Sequence, residues 1–218
     1  MPYWGQYTTG PKTGTVAFSF EYGGATLDWV NQSNALSDND SYAAAILPAP
    51  IAGYGMTTMV LAVKELGFEL PSQAVIKGLI LKARVKASHH DTNYYVGEEY
   101  PYYVTGMYAG NGTTPKCGNS DVGHILITEE EREFWATYAP NFPTVEEANA
   151  ADFFAGFYTQ VFNIPKDSTQ VTAYVDVITC EIEYDLGGYA HKILGVAPAN
   201  IGKVMGIPTA NIAKFNGV

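Results

Sequence analysis

From Thr15 to Tyr22 apolar and polar positions alternate with a period of two and stop at Gly23-Gly24, the pattern of a half-buried strand and its turn. The next segment, ATLDWVNQSNALSDNDSYAAAIL, reads as a short strand, a polar turn and another strand. Thr57 to Leu66 and Ala74 to Ala87 supply two long patterns. In the second, Ile76, Leu79, Leu81, Ala83 and Val85 fall largely on one face and Lys82, Arg84 and Lys86 on the other, which predicts a strand with one wet face. Tyr100 to Met107, His124 to Thr128, Phe154 to Phe162 and Val171 to Tyr184 continue the series, so about eight to ten strands are predicted at the spacing of a β-sandwich. No regular strand-helix alternation occurs, which disfavours an α/β fold.

Two short helices are predicted between the strands. Thr128 with Glu131, and Thr144 with Glu147, each match the capping box, in which hydroxyl and carboxylate satisfy free backbone N–H groups. Glu129, Glu130 and Glu146 fall where a helix dipole favours negative charge, so the acidic run EEERE reads as structural.

Composition agrees with a loop-rich β protein: 47% hydrophobic, 16% charged and 13% aromatic residues, with 22 Gly and 12 Pro. A net charge of -10, without any Lys/Arg stripe, argues against direct nucleic-acid binding. No apolar run reaches the roughly 18 residues of a membrane span, and the start MPYWGQYTTGPKTG lacks a basic, apolar signal core, so neither membrane insertion nor a signal peptide is expected. Cys117, in the Gly/Asn/Pro stretch TTPKCGNSD, is expected in a loop, and Cys180 in a strand. Two cysteines make no disulfide framework, and the plain reading is two free thiols with Cys180 packed as a small hydrophobe.

After Tyr184 the chain repeats itself every eleven residues: Lys192-Ile193-Leu194-Gly195-Val196, Lys203-Val204-Met205-Gly206-Ile207 and Lys214-Phe215-Asn216-Gly217-Val218. Ala199-Asn200-Ile201 recurs as Ala210-Asn211-Ile212. Regular Gly, with Pro198 and Pro208, opposes a continuous helix and favours short extended pieces broken by turns. So few units cannot bury their own apolar face, so the tail is expected to dock on another surface. The division expected is an extended arm at 1–14, an all-β jelly-roll-type antiparallel sandwich at 15–186, and a docking tail at 187–218.

Trp29-Val30-Asn31, Asn34 to Ala45, Leu66-Gly67-Phe68-Glu69-Leu70-Pro71, Ala74 to Gly78 and Ala173-Tyr174-Val175-Asp176 together resemble a jelly-roll module recurrent in structural proteins of tailed bacteriophages, over roughly residues 15 to 186. The closing Asn-Ile-x-Lys-x-x-Gly-Val repeats are similar to C-terminal tails of proteins of that kind. The resemblance implies a non-enzymatic virion accessory protein on the particle surface, made in the host cytoplasm: a capsid decoration, a head or collar fibre, or a tail-associated subunit. Its partners would be other virion subunits and copies of itself, a trimer by analogy with fibres. The aromatic, Gly-rich segment from His89 to Asp121 is longer than that pattern requires.

No phosphate loop, nucleophile elbow, His-Glu-x-x-His or CxxC pair occurs, so no catalytic residue and no cofactor is expected. His89, His90 and Asp91 are adjacent, but neighbouring strand residues point to opposite faces and share one ion poorly. Asp38-Asn39-Asp40 carries oxygens of the kind calcium prefers, yet without the Gly and distal Glu of an EF-hand; a turn held by Asx side chains is the plainer reading, with Asp38 and Asp40 the weak metal candidate. Two function classes follow. In the first, Ile193, Val196, Ile201, Val204, Ile207, Ile212 and Phe215 anchor the tail, Gly195, Gly206 and Gly217 make its turns, and Asn200 and Asn211 satisfy turn backbones. In the second, the chain is a carbohydrate- or receptor-binding module that contacts a host glycan through Tyr94, Tyr95, Tyr100, Tyr102, Tyr103 and Tyr108.

Overall fold

The alternating segments pair into two antiparallel sheets that face each other. The computed structural model describes residues 5–48, 56–88, 102–123, 129–136, 142–162, 170–186, 203–204 and 207–208. The first sheet holds β1 (Tyr7–Thr8), β3 (Ala43–Pro48), β6 (Ala74–Ala87), β9 (Glu130–Ala136) and β11 (Gln170–Leu186), with β11 paired to β6 and β6 to β9, while β1 and β3 pair with the two ends of β11. The second holds β2 (Val16–Phe20), β4 (Met56–Thr57), β5 (Val60–Lys64), β7 (Tyr102–Asn111), β8 (Thr114–Gly123) and β10 (Phe153–Phe162), in the order β2-β5-β10-β7-β8, with β4 beside β10. The chain passes repeatedly from one sheet to the other, as a jelly-roll-type sandwich requires. A separate pair, β12 (Lys203–Val204) with β13 (Ile207–Pro208), lies in the tail.

The period-two pattern decides which residues meet between the sheets. Leu79, Leu81, Ala83 and Val85 of β6 and Ile178, Cys180 and Ile182 of β11 face Leu61 and Val63 of β5, Met107 and Ala109 of β7, and Phe153, Phe157 and Val161 of β10 in one buried core. Trp29 closes one edge against Phe157 and donates from Nε1 to the Met59 carbonyl at 2.8 Å, so its polar end is satisfied.

Three expectations change. Thr128, where a helix is predicted to start, lies outside the described residues, and Glu130 and Glu131 belong not to a helix but to strand β9. Its acidic residues alternate with core residues: Phe134 and Ala136 point inward, while Glu131 and Glu133 reach Lys82 on β6 at 3.1 and 2.8 Å. Cross-strand ion pairs, not a helix dipole, therefore explain the acidic run. The surplus segment ends in the β7–β8 hairpin, two strands of the second sheet, turned at Asn111-Gly112-Thr113 with Gly112 at φ 61°. Cys117 accordingly sits on β8, buried, and not in a loop. Turn-type residues are tolerated there because β8 is an edge strand, with Pro115 beside a register shift. The described part of the expected arm, residues 5–14, also joins the fold: Tyr7 and Thr8 pair with Tyr184 and Glu183 of β11, and Lys12 bridges Cys180.

The other expected helix is present as α1 (Val145–Asn149), with both halves of its capping box: the Glu147 N–H donates to Thr144 Oγ1 at 3.2 Å and the Thr144 N–H to Glu147 Oε2 at 2.8 Å.

Candidate functional site

A sandwich with one core needs only the inner faces of its sheets to be apolar, yet the outer face of the second sheet is apolar as well. Phe20, Val60, Ala62 and Phe154 are buried there as a separate cluster, with Phe18, Tyr108 and Tyr158 half-buried on top of it. Strand register puts these residues in rows. One row crosses all five main strands as Phe18, Ala62, Gly156, Tyr108 and Gly118; beside it run Tyr158, Gly106 and Ser120.

Large rings alternate with residues that have little or no side chain, so each ring can lie along the sheet. Gly106 faces Tyr158 directly across the strand pair, and a Cβ there would overlap the Tyr158 ring. Gly118 stands in the same relation to Tyr108. The two tyrosine rings stack on each other with centroids 5.1 Å apart and planes 7° from parallel. Tyr22, 45% exposed, meets Tyr108 edge-on at 5.1 Å. Burial, followed by the hydrogen bond between the two phenols, pushes the Tyr108 hydroxyl well above the ordinary tyrosine range, so it stays neutral at all physiological pH. Lys64 lies over the Phe18 ring at 5.3 Å, and half-buried Gln160 and exposed Ser120 flank the tyrosines with hydrogen-bonding groups. The result is an aromatic shelf with polar groups at its edge.

Of the six tyrosines singled out in the sequence, Tyr108 is on this shelf. Tyr102 and Tyr103 belong to β7 and pair with Phe162 and Val161 of β10; Tyr94, Tyr95 and Tyr100 lie outside the described residues. Tyr22, Tyr158 and Phe18 were not singled out. Their signal was present as aromatics at alternate positions of strands that have apolar residues on both faces, the pattern of a sheet covered on both sides.

The first sheet carries the opposite chemistry. Lys82, Arg84 and Lys86 face outward as predicted, each against acids or rings: Arg84 pairs with both Asp38 and Glu129, and Lys86 lies 3.5 Å from the Tyr42 ring centroid. Asp38-Asn39-Asp40 forms the expected Asx-held turn, since Asn39 Oδ1 accepts the Ser41 N–H at 2.9 Å and Asp40 takes φ 58°. What sequence order hid is that Asp176 and Glu129 meet this turn: oxygens of Asp38, Glu129 and Asp176 lie within 4.8 Å of one another. Asp40 is not in that group. The hydrogen bond from Arg84 holds the Asp38 carboxyl below its ordinary range, whereas burial raises that of Asp176. Tyr42 donates to Glu129 Oε2 at 2.6 Å, and this bond pushes its own hydroxyl upward.

Among the tail residues, the backbones of Val204 and Ile207 pair across the β12–β13 hairpin, an extended piece of the expected kind. Ile193, Gly195, Val196, Asn200, Ile201, Gly206, Asn211, Ile212, Phe215 and Gly217 lie outside the described residues, as do His89, His90 and Asp91. Cys117 and Cys180 are free and buried.

No protein-family model and no curated protein matches this chain. Solved structures with some likeness include a CBM4 structure, at 12% identity over 67% of this chain and 87% of that one, with a TM-score of 0.37. TmCBM61 in complex with β-1,4-galactotriose gives 7% identity over 69% and 77%, with a TM-score of 0.33. The CBM22-1-GH10 modules of Clostridium thermocellum endo-1,4-β-D-xylanase 10B, complexed with xylohexaose, give 15% identity over 86% of this chain and 30% of that one, with a TM-score of 0.33. At 7% to 15% identity the likeness concerns the fold alone.

Proposed function

We propose that this protein is a non-catalytic glycan-binding module that receives a sugar chain on the outer face of its second sheet. The observation that carries this reading is the Tyr108–Tyr158 pair lying flat over Gly118 and Gly106. Flat rings on a rigid sheet offer large contact area at low entropic cost, the surface that the C–H face of a pyranose covers best. Gln160 and Ser120 stand where hydroxyl groups of such a chain would need partners. Five strands at about 4.8 Å spacing give a shelf about 19 Å long, room for a short oligosaccharide. With a net charge of -10 the chain repels polyanions, so the sugar is a neutral one.

Calorimetric titration of the full chain with neutral gluco-, xylo-, galacto- and manno-oligosaccharides tests this. At least one series binds, and Tyr108→Ala or Tyr158→Ala weakens that binding tenfold or more, about 1.4 kcal/mol. No binding by the parent chain, or binding that both variants retain in full, overturns the reading.

The eleven-residue repeat favours a second reading, compatible with the first: the tail docks the module on a larger assembly, which the phage-like sequence pattern suggests is a virion. Weak contacts of Ile193, Val196, Ile201, Val204, Ile207, Ile212 and Phe215 would sum over symmetric copies. A chain ending at Tyr189 then stays folded but loses self-association and particle co-sedimentation; unchanged behaviour in both assays removes this role.

A further inference from the structure

We propose that Asp38, Glu129 and Asp176 bind one divalent cation, calcium by the chemistry of the ligands, on the outer side of the first sheet. The three carboxylates come from distant parts of the chain: the turn before β3, the residue that leads into β9, and the middle of β11. They converge because β11 has a register shift between Val175 and Val177, and the bulged residue between them is Asp176. The shift frees Asp176 from the strict alternation of the strand and lets it meet the turn at Asp38 to Asp40.

Asp176 is the group that points to a ligand. It is fully buried, at 0% exposure; Oδ1 accepts the Asn39 N–H at 3.2 Å, the Asp40 N–H also favours the ionised carboxyl, and Oδ2 is buried with no hydrogen-bond partner among the described residues. A buried carboxylate oxygen without a donor is unfavourable unless a proton or a metal ion meets it. The Asp38 and Glu129 oxygens that lie within 4.8 Å of this group can supply neither unless one of them is protonated. A cation satisfies all three at once.

Charge and geometry both select calcium. Three ionised carboxylates against the one guanidinium of Arg84 leave two negative charges, the complement of a divalent ion. The oxygens fit within the roughly 4.6–5.2 Å diameter of a calcium coordination shell, whose irregular geometry accepts carboxylates from unrelated segments with water at the remaining positions. Among the described residues no imidazole or thiolate belongs to the group, which disfavours zinc and copper. Arg84 and Tyr42 do not compete for Asp176. Arg84 holds Asp38 and Glu129 from the β6 side, and Tyr42 holds Glu129 Oε2, so both orient ligands as an outer shell does.

The site lies on the opposite sheet from the aromatic shelf, so its test does not depend on sugar binding. The full chain, stripped with EDTA, is melted with calcium chloride, with magnesium chloride and with sodium chloride at matched ionic strength. Terbium luminescence, sensitised by Tyr42, gives a direct second readout. Calcium at a hundredfold excess over its Kd raises the melting midpoint by about 5 °C or more, and terbium luminesces and is displaced by calcium. Asp176→Asn, and separately the exposed Asp38→Asn, abolish both effects, while Glu131→Gln, an equal charge change beside Lys82, leaves them intact. Absence of luminescence and of a calcium shift overturns the proposal. So does a shift reproduced by matched sodium chloride, or one retained in both Asp variants.

Discussion

Tyr108 on β7 and Tyr158 on β10 stack with their planes 7° from parallel, although the residue directly opposite Tyr158 is Gly106 and the one opposite Tyr108 on β10 is Gly156. The stack is therefore diagonal, and it exists because the squares beside it are empty of side chains. Gly106→Val fills one of them. The added atoms meet the Tyr158 ring, which must leave the sheet face, and unfolding in urea should show a loss of about 1–3 kcal/mol, the usual cost of overpacking. Binding of the responsive sugar should fall at least as far as in Tyr158→Ala. A variant with unchanged stability and binding would mean that the ring does not need that space.

The capping box of α1 gives a second expectation. Thr144→Ala removes the acceptor for the Glu147 N–H and should lower stability by about 1 kcal/mol in denaturant unfolding. Thr144→Ser should restore most of it, because the hydroxyl is the functional part.

The thiols supply a third. Burial, against the weaker effects of the Ala109 carbonyl and Lys116, pushes Cys117 up to about 11, and burial, with Cys117 nearby, raises fully buried Cys180 well above the ordinary thiol range. The thiolate is the reactive form, so a disulfide reagent at mildly alkaline pH should label neither cysteine in the native chain within minutes and both after denaturation. Fast labelling of the native chain would contradict the burial of both sulfurs. Cys180→Ser should cost about 1–3 kcal/mol by placing a hydroxyl in the core.

The sandwich was legible because its determinants are local. Period-two alternation in Ala74 to Ala87 placed Leu79, Leu81, Ala83 and Val85 in the core and Lys82, Arg84 and Lys86 outside, as they are. The segments that carry the phage-like pattern contribute Trp29, Ala43, Ala45, Leu66, Phe68, Leu70, Ala173 and Val175 to that core, so most of the pattern reports packing, while its Asp38 and Asp176 meet on the outer side of the first sheet. Where local signals misled, a non-local partner had taken over. A capping-box spacing at Thr128 and Glu131 lost to Lys82 across the strand pair, and the turn-rich TTPKCGNSD stretch became an edge strand against β7. The aromatic shelf was half visible: Tyr108 was singled out for its company of tyrosines, but Tyr158 needs the register of β10 on β7 to bring it alongside. Asp176 gave no signal of its own, since its meaning depends on a bulge and on a turn more than a hundred residues earlier.

The fourth prediction joins pH to the cation. Asp176 is faced by Asp38 and Asp40 from the turn, by Glu129 ahead of β9 and by Arg84 from β6, with Tyr42 on Glu129 and Lys86 above the Tyr42 ring. Its carboxyl is raised above the ordinary 3.8, chiefly by burial, so its protonated form favours the folded state, and that contribution is lost as pH rises through the folded value. Asp38, lowered by its hydrogen bond from Arg84, acts the other way: its contribution is present above 3.8 and disappears only as pH falls through its lowered value. Without a cation, acidification from neutrality toward 3.8 should therefore gain stability from Asp176 before Asp38 begins to lose it. Calcium needs the same carboxylates ionised, so proton and metal compete for one oxygen pair. The difference in melting midpoint between calcium and EDTA should thus be largest near neutral pH and shrink steadily on acidification, and in Asp176→Asn it should be absent throughout. A difference that holds constant across that range would show that the ion is bound by groups that do not include Asp176.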